Sequence, residues 1–136
     1  MRRLLILLGA GVIGLFIIIA GISALSAMQR KRHEKQVATT FVNDVLANNE
    51  GDSYAMFSDT AQNVQGEDDW SAQVTKVSSF FKGSSAKYQQ TTAASSYDTV
   101  SFTISGSDGN YLMNVQLESG KSGPVVRSFT SQLQAN

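Results

Sequence analysis

The chain has no cysteine, one histidine and one proline in 136 residues, and each scarcity removes a class of chemistry. Without cysteine there is no disulfide framework, no thiolate nucleophile and no zinc site built on sulfur. With His33 as the only imidazole, His-pair metal motifs and a Ser-His-Asp triad have no residues to form them. Basic residues are scarce where a nucleic-acid surface would need them, since residues 37–136 carry five Lys/Arg against ten Asp/Glu. The first 36 residues carry six Lys/Arg and one acid, Glu34, so the zero net charge is the sum of a +5 head and a −5 body. A body of that sign argues against nucleic acid as its partner.

What the head has in abundance is apolar length. Residues 4–27 hold no charge in 24 positions, and fourteen of them are Leu, Ile, Val or Phe. At 1.5 Å per residue such a helix reaches ~36 Å, enough to cross a ~30 Å hydrocarbon core with some tilt. Ala24-Leu25-Ser26 offers a signal-peptide cleavage site, but the apolar run exceeds the ~7–15 residues of a signal core. The expectation is a retained anchor: a head at 1–3, a transmembrane helix at 4–27 and a basic juxtamembrane helix at 28–36. Arg30, Lys31, Arg32 and Lys35 are the membrane-interface residues, suited to anionic headgroups or acting as an ordinary stop-transfer flank. The Lys/Arg count around the span favours a cytoplasmic body. Arg2 and Arg3 in a three-residue head, and 25 Ser/Thr without cysteine in residues 37–136, favour an extracytoplasmic one, which is the orientation expected here. No glycine or proline lies between Gly21 and Gly51, so one nearly continuous helix is expected from Leu4 to about Asn48, roughly 68 Å long.

The body changes period midway. Ala38, Phe41, Val42, Val45 and Leu46 form the stripe of an amphipathic helix that stops at Asn48-Asn49-Glu50-Gly51. A short second element holds Tyr54, Met56 and Phe57. Glu67-Asp68-Asp69 then opens a helix carrying Trp70, Val74, Val77 and Phe81, ended by Gly83. Beyond it the period is two: Val100, Phe102 and Ile104 alternate with polar residues, as do Tyr111, Met113, Val115 and Leu117. Asp108-Gly109 is a two-residue hairpin signal, and as the turn it pairs Ile104 with Met113, Phe102 with Val115 and Val100 with Leu117. Lys87–Thr92 and Val125–Leu133 supply the outer strands. Helices followed by an antiparallel meander predict an α+β domain at 37–136, with helices packed on a curved four-stranded sheet.

This layout resembles the cone-shaped domain of nuclear transport factor two-like proteins and the neighbouring cystatin-like group. The residues that carry the resemblance are Phe41-Val42-Asn43-Asp44-Val45-Leu46, Tyr54-Ala55-Met56-Phe57-Ser58, Trp70–Phe81, Tyr111-Leu112-Met113-Asn114-Val115 and Val125-Val126-Arg127-Ser128-Phe129. Bacteria make many small one-span proteins of this look, and related domains are subunits of conjugative secretion machines. Some members of the superfamily are enzymes that use carboxylates or a His-Asp pair in the cone. The body here has no histidine, so only a carboxylate route remains.

Asp98 shares the parity of Val100, Phe102 and Ile104 and is the acid best placed for it, since an apolar surrounding raises a carboxyl pKa. Arg127 sits on the apolar parity of the last strand, and a three-residue loop at Gly120–Ser122 pairs it with Val115, facing inward. Together Asp98 and Arg127 are the ligand-pocket candidates; an ion pair at the rim, or a bulge turning them outward, fits equally. Glu67-Asp68-Asp69 lacks the spacing of a calcium loop, and Gly106-Ser107-Asp108-Gly109-Asn110 carries no phosphate-loop pattern. No catalytic residue, metal site or cofactor is expected. The function expected is a membrane-anchored, non-catalytic interaction domain with lipid and protein partners, as a subunit of an envelope or secretion assembly. The alternatives are a small-ligand-binding cone and, behind it, an isomerase-type enzyme using Asp98.

Overall fold

The computed structural model describes residues 28–135. The head at 1–3 and the expected transmembrane segment at 4–27 lie outside the described residues, as does that part of the expected continuous helix. Among the described residues no helix is long and apolar enough to cross a membrane. The chain divides into two compact units, Met1–Arg32 and His33–Asn136. Of the first, residues 28–32 are described; they are helical and exposed.

The second unit is α+β, with four helices preceding four strands. Helix α1 covers 28–46, and its buried positions Glu34, Ala38, Phe41, Val42 and Val45 recur at three- and four-residue spacing, so one stripe faces the core. It ends at Asn48, whose φ of 59° is the left-handed turn that breaks the helix, while the Asn49 N–H donates to Asp44 O at 2.8 Å. Gly51, expected to end this helix, instead lies in the first turn of α2 (Glu50–Ala55). A second short helix, α3 (Asp59–Val64), follows where one short element was expected. Helix α4 (Glu67–Phe80) starts at the expected acids, which sit in its first turn where the helix dipole favours them.

The strands β1 (Lys87–Ala93), β2 (Asp98–Gly106), β3 (Gly109–Gly120) and β4 (Gly123–Leu133) form one antiparallel sheet in the order β1-β2-β3-β4. The β2–β3 register pairs Val100 with Val115, Phe102 with Met113 and Ile104 with Tyr111, two residues from the expected pairing. The turn is Ser107-Asp108 rather than Asp108-Gly109, and the unusual backbone angle falls on Gly109, at φ 147°. A shift of two keeps every side chain on its expected face, so the inward set is unchanged. At the β3–β4 turn the loop is Lys121-Ser122, two residues instead of three, and Gly123 takes φ 125°.

One sheet face and the helices share a single core. Trp70, Phe41, Met113, Val42, Val45, Val74, Val100, Val115 and Val126 are fully buried in it. Burying each large apolar side chain contributes about 1.5–3 kcal/mol. The opposite face is a polar lattice in which Ser101 donates to Asn114 at 2.7 Å, Ser128 to Gln116 at 2.8 Å and Gln89 to Thr103 at 2.9 Å.

Candidate functional site: a cleft along the edge of β4

Four aromatic rings close the core beside β4. Phe41 stacks on Trp70 at 5.7 Å between centroids, and Phe57 meets Trp70 edge-on at 4.8 Å. Phe129 completes the group, 5.6 Å from Phe41 and 6.2 Å from Trp70. Edge-to-face contacts of this kind add about 0.5–1.5 kcal/mol each beyond area burial. The only polar atom of the Trp70 ring, Nε1–H, donates to Ser53 Oγ at 2.9 Å, and Ser53 Oγ donates to Glu50 O at 3.0 Å. Ser71 Oγ donates to the Glu50 carboxylate, which ties α2 to α4.

The segment between α2 and α3 behaves as a fragment of strand. Phe57 forms a parallel bridge with Val126, with the Ser58 N–H donating to Val126 O and the Val126 N–H to Met56 O, both at 2.8 Å. Ser58 then caps α3 by accepting from the Ala61 N–H at 3.1 Å. Tyr54 Oη donates to Gln65 O at 3.1 Å, and Gln62 Nε2 donates back to Tyr54 O at 3.0 Å, so α3 is clamped at both ends.

Between α3 and β4 these contacts leave a cleft of about 500 Å³. Phe57, Trp70 and Phe129 line it with Ala61 and Val64, and Val64 is 87 % exposed at its lip. Glu118, Arg127 and Ser128 supply polar groups from the sheet. Ser58 Oγ accepts from the Ala61 N–H and Ser128 Oγ donates to Gln116, so the cleft combines apolar contact with hydrogen-bonding groups.

The two sequence-derived pocket residues, Asp98 and Arg127, take different positions on the sheet. Asp98 opens β2 opposite Leu117, is 6 % exposed and is engaged rather than free. It faces the core, as its parity implies, but it is not part of the cleft beside β4. Arg127 does not face inward opposite Val115. The register runs from Leu117–Val126 to Gln116–Ser128, leaving Arg127 as the extra residue of a β-bulge, and its side chain is exposed. Its guanidinium lies over the Tyr97 ring at 4.7 Å and 3.5 Å from Ser96 Oγ, so it reaches back over the sheet to the residue preceding Asp98.

Of the residues expected at a membrane interface, Arg30, Lys31 and Arg32 are exposed, and Lys35 holds its Nζ 4.2 Å from the centre of the Tyr88 ring on β1. Lys35 therefore contacts the sheet. Glu34 between them is 5 % exposed, a buried acid within the basic stretch. Its signal was present in the spacing, because Glu34 stands four residues before Ala38 on the same stripe. The His33 ring lies against Gly123, 3.1 Å from where a β-carbon there would sit.

Among the described residues no group of three or more His, Cys, Asp or Glu is arranged to hold a metal ion. At the far end of the sheet Tyr111 Oη donates to both carboxylate oxygens of Asp108 at 3.0 Å. Burial first, then that hydrogen bond and the negative charge of Asp108, push the Tyr111 hydroxyl above its ordinary value. Comparison of the chain with protein-family models, with curated proteins and with solved structures finds no match.

Proposed function

We propose that the chain is a single-pass membrane protein whose residues 4–27 cross the bilayer and whose body works outside the cytoplasm as a non-catalytic interaction domain. It would serve as an accessory subunit of an envelope or secretion assembly. The observation that supports this reading is the aromatic group packed between helices and sheet, in which Phe41, Phe57 and Trp70 touch, with a cleft beside β4 that opens at the sheet's edge. Such an edge cleft presents a surface to a partner, and a membrane span would fix where that surface is presented. The nuclear transport factor two-like resemblance belongs to the same proposal. Its support is that all helices precede a β1-β2-β3-β4 meander whose apolar face they cover, with bulges that bend the outer strands.

The topology is tested by protease added to intact cells. Digestion of the body without lysis is the expected result; survival of the body until lysis overturns the extracytoplasmic placement. Release of the full chain from membranes by alkaline carbonate would remove the anchor. A second reading, binding of a small apolar ligand, has the cleft beside β4 in its favour. Trp70, the only tryptophan, lines that cleft, so its fluorescence reports occupancy. A saturable change on titration with a fatty acid would favour this second reading.

A further inference from the structure

The outer edge of β4 is protected along half its length and open along the rest. Pro124 removes an N–H, the bulge at Arg127 breaks the regularity of the ladder, and the Met56–Ser58 segment covers Val126. Beyond the bulge, residues 128–133 read Ser-Phe-Thr-Ser-Gln-Leu, without charge, proline or irregularity. The Gln134 N–H donates to Asn110 O at 2.8 Å, and with this alternation residues 128, 130 and 132 bond to β3. The N–H and C=O groups of Phe129, Ser131 and Leu133 therefore point out of the sheet, and among the described residues they have no main-chain partner.

A row of alternating donors and acceptors at strand spacing is complementary to one kind of ligand, an extended polypeptide. The chain itself uses this edge that way, since Phe57 and Ser58 already pair with it one step earlier. Side chains of Phe129, Ser131 and Leu133 lie on the helix-covered face, opposite Val115, Met113 and Tyr111. A strand added here puts alternate side chains on that same face. There the cleft offers Val64 at 87 % exposure and Leu133 is 54 % exposed.

We propose that the open half of the β4 edge, with the cleft beside it, docks an extended segment of a partner protein. The segment adds as a strand and places an apolar side chain between Val64 and Phe129. This rests on the interaction-domain reading and names its surface. The fragment already on this edge, Phe57 bridged to Val126, is unlike β4 in sequence, which favours an unrelated segment over a second β4.

The test uses the full chain in the membranes of the cells that make it, with a photoreactive phenylalanine analogue in place of Val64 or, on the opposite edge, of Gln90. An adduct with another polypeptide is expected from position 64 and not from position 90. Ser131→Pro removes an outward N–H without touching the β3–β4 ladder, and should reduce the position-64 adduct about tenfold at unchanged melting temperature. Leu133→Lys, a charge on an exposed edge position, should act alike if the proline variant proves unstable. A synthetic peptide of the cross-linked segment should slow hydrogen exchange at the Phe129, Ser131 and Leu133 amides. The proposal is overturned by an adduct that survives both substitutions, by an adduct with a second copy of the chain, or by a peptide that protects none of the three amides. Adducts from position 90 alone overturn the edge proposal and leave the interaction reading standing. No adduct from either position overturns both.

Discussion

Trp70 is closed to solvent, and its one polar atom is satisfied by Ser53, itself fully buried. Ser53→Ala therefore leaves a buried indole N–H without its acceptor, at a cost of about 1–3 kcal/mol. Trp70→Phe removes donor and ring volume together and should cost about 2–4 kcal/mol, mostly as cavity. Because the two residues share one bond, the double variant should lose less than the sum, by about 1 kcal/mol in urea denaturation. Strict additivity would show that the bond contributes nothing. Tyr111 makes a second prediction at this scale. Its hydroxyl is raised above the ordinary 10.0 in the folded chain, so the folded state holds the proton more tightly than the unfolded one. The associated stability is complete below pH 10 and is lost as pH rises through the folded value. Asp108→Asn removes both the charge and its hydrogen-bonded carboxylate, so tyrosinate absorbance of that variant should rise at lower pH than in the parent. A titration unchanged by the substitution would assign the shift to burial alone.

Helix α1 and the loop after it turn on Asn48, the one non-glycine described residue with positive φ. Asn48→Ala should cost about 1 kcal/mol in thermal denaturation, since a β-carbon is strained in that region, while Asn48→Gly should be near neutral. Equal stability of the alanine variant would mean that the turn relaxes. This turn was legible in the sequence as an Asn-Asn-Glu-Gly stop, but which residue would turn was not, because Asn and Gly both tolerate the angle. The stripes of α1, α4, β2 and β3 were equally legible, since burial imposes their period directly. Helix α3 was not. Only Ala61 and Val64 give it apolar character, and it is held by the Ser58 cap and the Tyr54 clamp, contacts that no periodicity announces. The parity of Asp98 gave its facing, whereas the outward turn of Arg127 depends on a bulge beside the strand fragment at Phe57, some seventy residues earlier in the chain. Register was missed by two at Asp108-Gly109 because a turn one residue earlier satisfies the same alternation.

At the scale of the whole molecule, the folded unit begins earlier than hydrophobic patterning alone places it. Patterning starts the domain at residue 37, yet His33–Asn136 is one compact unit, and three residues before 37 already contact or enter it. Glu34 is buried on the α1 stripe, Lys35 lies 4.2 Å over Tyr88, and the His33 ring packs on Gly123. A fragment beginning at 37 loses the cation–π contact, worth about 0.5–1 kcal/mol, together with the first core-facing turn of the helix. Removing Glu34 also relieves the cost of burying its carboxylate, which offsets part of that loss. The net expectation is about 1 kcal/mol, which for a domain of this size lowers the melting temperature by about 4–8 °C relative to a fragment beginning at 33. Calorimetry on the two fragments measures it. Equal melting would mean that residues 33–36 only rest on the sheet. The expected difference would instead make Lys35 part of the folded domain.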